Sequence, residues 1–205
     1  MIEDRLLEEE LLQFPELGRV RNLVVDRLKR RPYVRAPSMS LAAAPDLPPL
    51  VAERPEDAPA VERLILRAFG PGRFAKAAER LREGREPRRD LSFVAWEAGE
   101  IVGCVRQWPV TIGGRAAILL GPFAVDPEFR SQGLGAALIE RGCEAAASAG
   151  QALVVLVGDM PYFGPLGFRV APKVTMPGPV DARRVLIRAL ASGADLDLAG
   201  LVTAA

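Results

Sequence analysis

A glycine-containing segment in the second half of the chain has the residue types and spacing needed to bind an anion. An apolar stretch ends at Val125, and Arg130-x-x-Gly133-x-Gly135 follows it at the start of an Ala-rich stretch with helical periodicity. The first backbone N–H groups of a helix have no partner inside the helix, and the helix dipole adds positive potential there. Glycines at this point let a ligand approach the backbone closely. The pattern predicts a phosphate or diphosphate site, with Arg130 adding a positive charge.

Two glycines with this spacing also fit a plain turn between a strand and a helix, so the spacing alone leaves that interpretation open. The segment is not the dinucleotide-binding fingerprint, because the first glycine of that pattern is missing and the segment lies late in the chain. It is not a P-loop either, since Gly-Lys followed by Ser or Thr occurs nowhere in the sequence.

The residue inventory excludes several other kinds of catalytic site. The chain has no His, which excludes Ser-His-Asp catalysis, Cys-His catalysis and any His-ligated metal. Its two cysteines, Cys104 and Cys143, form no C-x-x-C pair, so neither a disulfide framework nor a Cys-rich zinc site is expected. We therefore expect no metal, and we interpret both thiols as small core residues.

Length and composition are those of an ordinary globular protein. The chain has 205 residues, of which 49% are apolar and 26% charged, with a net charge of +1. These values predict one domain with an appendage, and they exclude a strongly basic field over the whole molecule. No apolar run approaches the roughly 18 residues of a membrane span, and the first residues do not begin a leader peptide. We therefore expect a cytoplasmic protein without membrane contact.

Residues 1–49 differ from the rest and are predicted to form a helical extension. Apolar residues repeat at helical spacing on both sides of Pro15, in an acidic part (1–16) and a basic part (19–35), and a proline-rich linker follows. The two parts could pair with each other or stay solvated, or the extension could dock on a protein partner or a second copy of the chain. RNA binding is the weakest alternative, because no aromatic residue is interleaved among the bases of residues 19–31.

Residues 50–205 are predicted to form one domain of strands and helices. The hydrophobic patterns predict the order β-α-α-β-β-β-α-β-turn-β-β, with three antiparallel strands before a strand-helix-strand crossover. This order is typical of an α+β (mixed α/β) fold with a mixed sheet and helices on both faces. Strands are expected near residues 50–53, 91–96, 101–110, 116–125, 152–157, 168–170 and 185–189, and helices near 57–69, 74–82, 133–149 and after 192.

The glycine segment and a second motif further along the chain together resemble one family. Val125-Asp-Pro-Glu-Phe-Arg-Ser-Gln-Gly-Leu-Gly-Ala136 looks like the acyl-CoA signature of the GNAT superfamily of N-acetyltransferases, Arg/Gln-x-x-Gly-x-Gly/Ala. The segment Gly158-Asp-Met-Pro-Tyr-Phe-Gly-Pro-Leu-Gly-Phe168 is similar to the family's Phe/Tyr-Tyr-x-x-x-Gly-Phe segment. The strand order agrees as well. The resemblance covers about residues 50–190, and it is strongest to the YhbS-like branch.

The resemblance implies an acetyl-CoA site between two central strands of a mostly antiparallel sheet. These strands would splay apart, the pantetheine arm would bond to backbone between them, and a free backbone N–H would polarise the acetyl carbonyl. At the start of the following helix, backbone N–H groups would hold the diphosphate. The implied cofactor-binding residues are Phe123, Ala124 and Val125 on the strand, and Arg130, Ser131, Gln132, Gly133, Leu134, Gly135 and Ala136 after it.

The implied reaction is transfer of an acetyl group from acetyl-CoA to a primary amine by direct attack on the thioester. The amine must first lose a proton, and the strand over residues 116–125 offers no carboxylate to take it. The nearest carboxylates are Asp126, Glu128, Glu97 and Asp159. Of these, Asp159 directly follows a buried strand, so it is the candidate for binding or deprotonating the amine; its alternative role is to cap the next turn.

The group that returns a proton to the leaving thiolate is open at this point. The family's Tyr stands four residues before the Gly of Gly-Phe, and that position is Phe163 here, with Tyr162 beside it. Tyr162 is the candidate acid, with protonation by solvent as the alternative and a place in the acceptor pocket wall as its other role. The departures keep a second function open: a catalytically weak acyl-CoA-binding module that docks on a partner through residues 1–49.

The implied acceptor is a small-molecule or protein amine. The two early helices and the strand over residues 104–109 are expected to frame its pocket, with Arg73, Arg106 and Trp108 as candidate lining residues. If Arg106 faces the cleft, it favours an acceptor that carries a carboxylate.

Overall fold

The structure is a computed structural model that describes residues 47–72 and 77–205. The helices and most of the linker predicted over residues 1–49 therefore lie outside the described residues, as does the start of the helix predicted over 74–82. The described end of that helix is wrong, because residues 77–82 hold only turns and a three-residue 3-10 helix over Glu79–Leu81. The division into an extension and a domain stays a prediction.

Strands of the described residues join into one mixed sheet. They are Leu50–Ala52 (β1), Phe93–Glu97 (β2), Glu100–Ile112 (β3), Arg115–Val125 (β4), Leu153–Val157 (β5), Arg169–Val170 (β6), Val174–Thr175 (β7), Val185–Ala189 (β8) and Gly200–Ala204 (β9). The hydrogen-bonded order is β1-β2-β3-β4-β5-β8-β6, while β9 pairs with both β3 and β7. All pairs are antiparallel except β4 with β5 and β7 with β9.

Helices cover both faces of this sheet, which confirms the predicted α+β (mixed α/β) class. Helix α1 spans Ala58–Phe69 and packs with the side chains of Cys104 and Ala124, on one face. Helix α2 spans Leu134–Ser148 and packs with Val105 and Val125, on the other. Neighbouring residues of a strand point to opposite faces, so one strand supplies both clusters. A third, short helix, α3, spans Met160–Phe163, where only a turn was predicted.

Strands β4 and β5 separate after a short parallel contact. They pair at Ile118 with Val154 and at Leu119 with Val155, although β4 continues to Val125 and β5 to Val157. The ends of the two strands therefore diverge, as the predicted splay between the central strands requires.

The short helix predicted after residue 192 is wrong. Residues 200–204 form β9, whose Thr203 and Val202 lie opposite Thr111 and Ile112 at the far end of β3. The alternation of exposed Leu201 with fully buried Val202 is that of a strand with one face on the core. This two-residue alternation is too short to be distinguished from a helical pattern without knowing that β3 offers a free edge there.

Because β9 packs on the β3–β4 turn, we expect alanine substitutions at the two adjacent glycines of this turn to differ in their effect on stability. Gly113 and Gly114 both have positive φ, but a Cβ on Gly113 would lie 2.2 Å from the Ala199 carbonyl oxygen, whereas a Cβ on Gly114 would meet nothing within 4 Å. Gly113→Ala is expected to lower the free energy of unfolding by about 3 kcal/mol, and Gly114→Ala by about 1 kcal/mol through backbone strain alone. Urea denaturation of both variants checks this. Equal losses would contradict the packing of β9 on this turn.

Within the described ranges, no helix is long and apolar enough to cross a membrane.

Candidate functional site

A cavity of about 860 Å³ opens where β4 and β5 diverge. One wall is formed by β4 and the start of α2, and the opposite wall by the end of β5 and by α3. A third side is closed by the end of α1, by residues 77–82 and by the loop over residues 179–184. Its lining residues include Phe69, Glu79, Arg82, Phe123, Val125, Arg130, Ser131, Gly135, Val157, Asp159, Tyr162 and Arg184.

The β4 wall presents unpaired backbone groups to this cavity. The Asp126 N–H donates to the Val102 carbonyl at 2.8 Å, while Val125 lies opposite Gly103. In an antiparallel pair this makes Val125 and Gly103 a non-hydrogen-bonded pair, and the alternation repeats at Phe123 two residues earlier. The N–H and C=O groups of Phe123 and Val125 therefore point away from β3, towards the cleft. Of these four groups, the Val125 C=O already accepts a hydrogen bond from Arg130 Nε.

The β5 wall mirrors this arrangement. The Gly158 N–H donates to the Arg184 carbonyl at 2.9 Å, and Val157 lies opposite Val185. By the same alternation, the backbone groups of Val157 point away from β8 and towards β4. Two strand edges thus face each other across a gap, each with backbone groups available to an extended ligand.

Ala124 has a different orientation from its two neighbours. It lies opposite Cys104 in the β3–β4 register, so its backbone groups point towards β3, and its side chain is buried in the cluster with α1. Ala124 is not part of the cavity lining. Ala124 thus packs beneath Phe123 and Val125, and its implied cofactor contact stays a prediction.

A bulge interrupts β4 just before Phe123. Val105 lies opposite Phe123 and Gln107 opposite Leu120, so Arg106 on β3 faces two residues of β4, Gly121 and Pro122. Such a bulge bends its strand, which helps to direct the end of β4 away from β5.

The loop before α2 and the first turn of α2 hold a row of free backbone donors. Gly133 is the N-cap residue, with φ +90°, and the Ala137 N–H donates to its carbonyl at 3.0 Å. Among the described residues, no partner within hydrogen-bond geometry is found for the six N–H groups from Ser131 to Ala136. The Arg130 N–H is different, because it donates to the Pro127 carbonyl at 3.3 Å. The predicted cradle therefore begins one residue later than the sequence indicated.

The side chains of this loop support the cradle rather than enter it. Arg130 lines the cavity, and its Nε donates to the Val125 carbonyl at 3.1 Å, which ties the loop to the end of β4. The Gln132 side chain donates to the Glu128 carbonyl at 2.8 Å, and Leu134 is 1% exposed in the α2 cluster. Of the predicted residues, Gln132 and Leu134 can therefore contribute to an anion site only through their N–H groups.

Tyr162 lies over the first turn of α2. A Cβ on Gly135 would come within 2.3 Å of the Tyr162 hydroxyl and 3.0 Å of the Phe123 ring, so glycine is required at this point for the close approach. The centroids of the Tyr162 and Phe123 rings are 6.1 Å apart. Burial raises the pKa of Tyr162 above its usual value of 10.0, so its hydroxyl keeps its proton at neutral pH.

Phe163 occupies the position where the family pattern has Tyr, and it is half-buried between the α2 cluster and the cavity. Its ring packs 5.7 Å from Phe168 and against Gly158, where a Cβ would come within 2.3 Å of the ring. A Tyr at position 163 would place its ring among these same apolar neighbours. Tyr162 and Phe163 point in different directions along α3, and Tyr162 supplies a hydroxyl to the cavity.

Asp159 lies at the mouth of the cavity. Its side chain is 73% exposed, and Arg184 Nε lies 3.1 Å from its carboxylate. Asp126, another of the nearby carboxylates, accepts a hydrogen bond from the Glu128 N–H and so caps the short turn over Pro127–Phe129. The structure thus brings Asp159, but not Asp126, to the cavity.

Arg106 does not face the cleft, so the expectation that it could select an acceptor carboxylate is wrong. Its guanidinium is buried and donates to both oxygens of Glu53, with Nη2 to Oε1 at 2.7 Å and Nε to Oε2 at 2.9 Å. Nη1 donates to Glu62 on α1. Two carboxylates therefore already occupy this cation.

Glu79 and Arg82 are among the lining residues that were not predicted from the sequence. They belong to a run of charged residues over 79–90, and such a run is usually a solvated surface. In the structure Arg82 Nη1 donates to Glu79 Oε2 at 3.1 Å, and the two side chains are only 13% and 21% exposed. The i,i+3 spacing of the pair was the available signal.

Neither thiol contributes to the site. Burial raises the pKa of Cys104 to about 12 and that of Cys143 to about 11. Within the described ranges, no group of three or more Cys, Asp or Glu side chains is arranged to hold a metal ion.

Comparison with known proteins shows the family of the chain. The model of the acetyltransferase (GNAT) family matches residues 58–161, which include α1, the strands β2–β5 and the glycine segment. The chain belongs to the GNAT family of acetyltransferases. The resemblance inferred from the two motifs is thereby confirmed, and the protein is an acyltransferase by family.

The YhbS-like branch is also confirmed as a relative of this GNAT protein. The uncharacterized N-acetyltransferase YhbS of Escherichia coli is 34% identical over 122 residues, which are 58% of this chain and 72% of that protein. The crystal structure of E. coli YhbS in complex with CoA superposes with a TM-score of 0.68 and 30% identity, covering 78% of this chain and 92% of that one. A GNAT acetyltransferase from Brucella melitensis in complex with acetyl-CoA has a TM-score of 0.50 and 31% identity, covering 59% and 82%.

Proposed function

We propose that this GNAT protein transfers an acetyl group from acetyl-CoA to a primary amine by direct attack on the thioester. The observation that carries the proposal is the cavity between β4 and β5, which has free backbone groups along both walls and a row of free N–H donors at one end. This combination suits a ligand with an amide-bearing extended arm and a diphosphate. The CoA found in the YhbS structure and the acetyl-CoA in the Brucella structure support the same ligand here.

The residues of the proposed cofactor site divide into two groups. The N–H and C=O groups of Phe123 and the N–H group of Val125 would pair with the pantetheine arm, because they face the cleft and the Val125 C=O is already bonded to Arg130. The N–H groups from Ser131 to Ala136 would bind the diphosphate, helped by the positive end of the α2 dipole. Arg130 would hold the two parts together through Val125.

The reaction then needs two proton transfers. The attacking amine must lose a proton, since only the neutral amine has a free electron pair, and the carbon–sulfur bond breaks to leave the CoA thiolate. Tyr162 is the proposed donor of a proton to that thiolate, because its hydroxyl lies at the cavity beside Phe123 and remains protonated.

Tyr162→Phe is expected to lower kcat about 10- to 100-fold while the affinity for CoA changes less than threefold. A proton donor is active below its pKa, and the pKa of Tyr162 is raised, so the wild-type rate should fall only above pH 10 and this fall should be absent in the variant. Steady-state kinetics between pH 6 and 11 measure both. An unchanged kcat would assign protonation of the thiolate to solvent.

Two features favour a second function, that of a catalytically weak acyl-CoA-binding module. Phe163 replaces the family's Tyr, and β4 carries no carboxylate. Such a module would bind acetyl-CoA as tightly as the enzyme but would release CoA only by slow hydrolysis. Docking through residues 1–49 on a protein or, less favoured, an RNA partner belongs to this alternative.

One experiment separates the two functions. Isothermal titration with acetyl-CoA measures binding, and thiol release is then followed with phenethylamine, spermidine, lysine and a peptide with a free N-terminal alanine. Binding with amine-dependent thiol release and an acetylated product supports the transferase. Binding of acetyl-CoA with a rate of thiol release that no amine increases supports the module. Absence of acetyl-CoA binding overturns both functions. The acceptor's identity, a cytoplasmic location and self-association stay predictions.

A further inference from the structure

The described part of the cavity contains three carboxylates, and they differ in how they are held. Asp159 is 73% exposed and paired with Arg184 at the mouth. Asp181 accepts hydrogen bonds from Arg183 at both of its oxygens. Glu79 is 21% exposed, and only its Oε2 is engaged, by Arg82. Among the described residues no partner is found for Oε1. Glu79 is thus the sheltered carboxylate with an oxygen available to a ligand.

Arg82 places Glu79 next to the strand that would hold the thioester. A Cβ on Gly121 would lie 3.4 Å from Arg82 Nη2, so the guanidinium packs directly on the β4 bulge. The other terminal nitrogen of the same guanidinium donates to Glu79. One planar group therefore bridges the carboxylate to Gly121, two residues before the cleft-facing backbone of Phe123.

We propose that Glu79 is the catalytic carboxylate that binds the acceptor's amino group and takes its proton, with Arg82 as the positioning residue. This inference rests on the transferase function proposed above. Oε1 of Glu79 takes one proton from the acceptor's ammonium group, the neutral nitrogen then attacks the thioester carbonyl carbon, and the carbon–sulfur bond breaks. The second proton, which the nitrogen loses as the amide forms, passes to solvent. Sulfur leaves as the thiolate, and Glu79 releases its proton to solvent before the next turnover.

Apolar residues near Glu79 would strengthen its attraction for an ammonium group. Ile65, Phe69, Ala77, Ala78 and Val180 line the same side of the cavity. An ammonium that enters among them loses water contacts, and Glu79 supplies a compensating charge. Strand β4 itself carries no carboxylate, and residues 77–82 would provide the proton acceptor from the third side of the cavity.

The test compares Glu79→Gln with two matched variants in the full-length chain. Glu83→Gln removes the same charge from the same segment at an exposed position outside the cavity, and Asp159→Asn removes the carboxylate at the mouth. For each variant, the affinity for CoA, the melting temperature, and kcat and KM for an amine that the wild type acetylates are measured between pH 6 and 10.

Glu79→Gln is expected to bind CoA within threefold of wild type and to lose on the order of 100-fold in kcat/KM for the amine at pH 7. The loss should shrink as the pH rises, because the amine becomes neutral without a base. Glu79→Asp should recover part of the activity, and Glu83→Gln should behave like wild type.

Three results would overturn the role of Glu79 alone: unchanged activity in Glu79→Gln, a loss found instead in Asp159→Asn, or a loss of CoA binding that equals the loss of activity. If the wild type binds CoA but acetylates no amine, the transferase function itself fails, and the role of Glu79 fails with it. The two failures are therefore distinguished by the wild-type reference.

Discussion

Gly133→Asp is expected to weaken the affinity for CoA on the order of 100-fold. Gly133 is the N-cap residue of α2, and nothing lies within 4 Å of the position its Cβ would take, so a side chain would extend into open space beside the cradle. A carboxylate about 5 Å from the diphosphate repels it by about 3 kcal/mol at an effective dielectric constant of ~20. Isothermal titration with CoA measures the effect.

Gly133→Asn is the matched control for this prediction. Asn has the same shape as Asp without the charge, and it tolerates the positive φ of +90° better than most residues. It is expected to weaken CoA binding less than tenfold. Equal losses in the two variants would mean that bulk or backbone strain, rather than charge, causes the effect, and equal retention of binding would place the diphosphate elsewhere.

Arg106→Met is expected to lower the free energy of unfolding by about 3 to 5 kcal/mol. The Glu53 side chain is fully buried, and Arg106 donates to both of its oxygens. Within residues 47–72 and 77–205, removing the cation leaves the buried carboxylate with one remaining cation, Arg89, whose Nη1 lies 3.2 Å away. An uncompensated buried charge is strongly destabilising. Urea denaturation of wild type and variant measures the loss.

Two controls separate a buried charge from lost packing. In Glu53→Leu/Arg106→Met both charges are removed, so at least 2 kcal/mol of the loss should return. Arg183→Met removes a cation that is 87% exposed beside Asp181, and the change should stay within about 0.5 kcal/mol. A double variant as unstable as the single variant would contradict the charge argument and assign the effect to packing.

The central part of the fold could be predicted from the sequence because its patterns are long. Eleven residues of β4 and fifteen of α2 show apolar periodicity over several turns or alternations, and their order implies the crossover. Strands β6, β7 and β9 have two, two and five residues, and their pairing depends on which edges other strands leave free. That information is not local, so β7 was missed and β9 was predicted as a helix.

The candidate site divides along the same line. Ser131 to Ala136 follow from a motif, because free donors at a helix start are a property of the local backbone. Which backbone groups of β4 face the cleft depends on its register with β3, and the register turns the backbone groups of Ala124 towards β3. Glu79 and Arg82 lie more than 40 residues from the glycine segment, and only tertiary packing brings them to Gly121.

A crystal structure of the chain with CoA tests the central claim most directly, because it shows which donors contact the diphosphate. We expect the diphosphate oxygens within hydrogen-bond distance of N–H groups between Ser131 and Ala136, and the pantetheine arm alongside the backbone of Phe123 and Val125. CoA bound elsewhere, or bound with these N–H groups turned to solvent and β4 and β5 closed on each other, would contradict it.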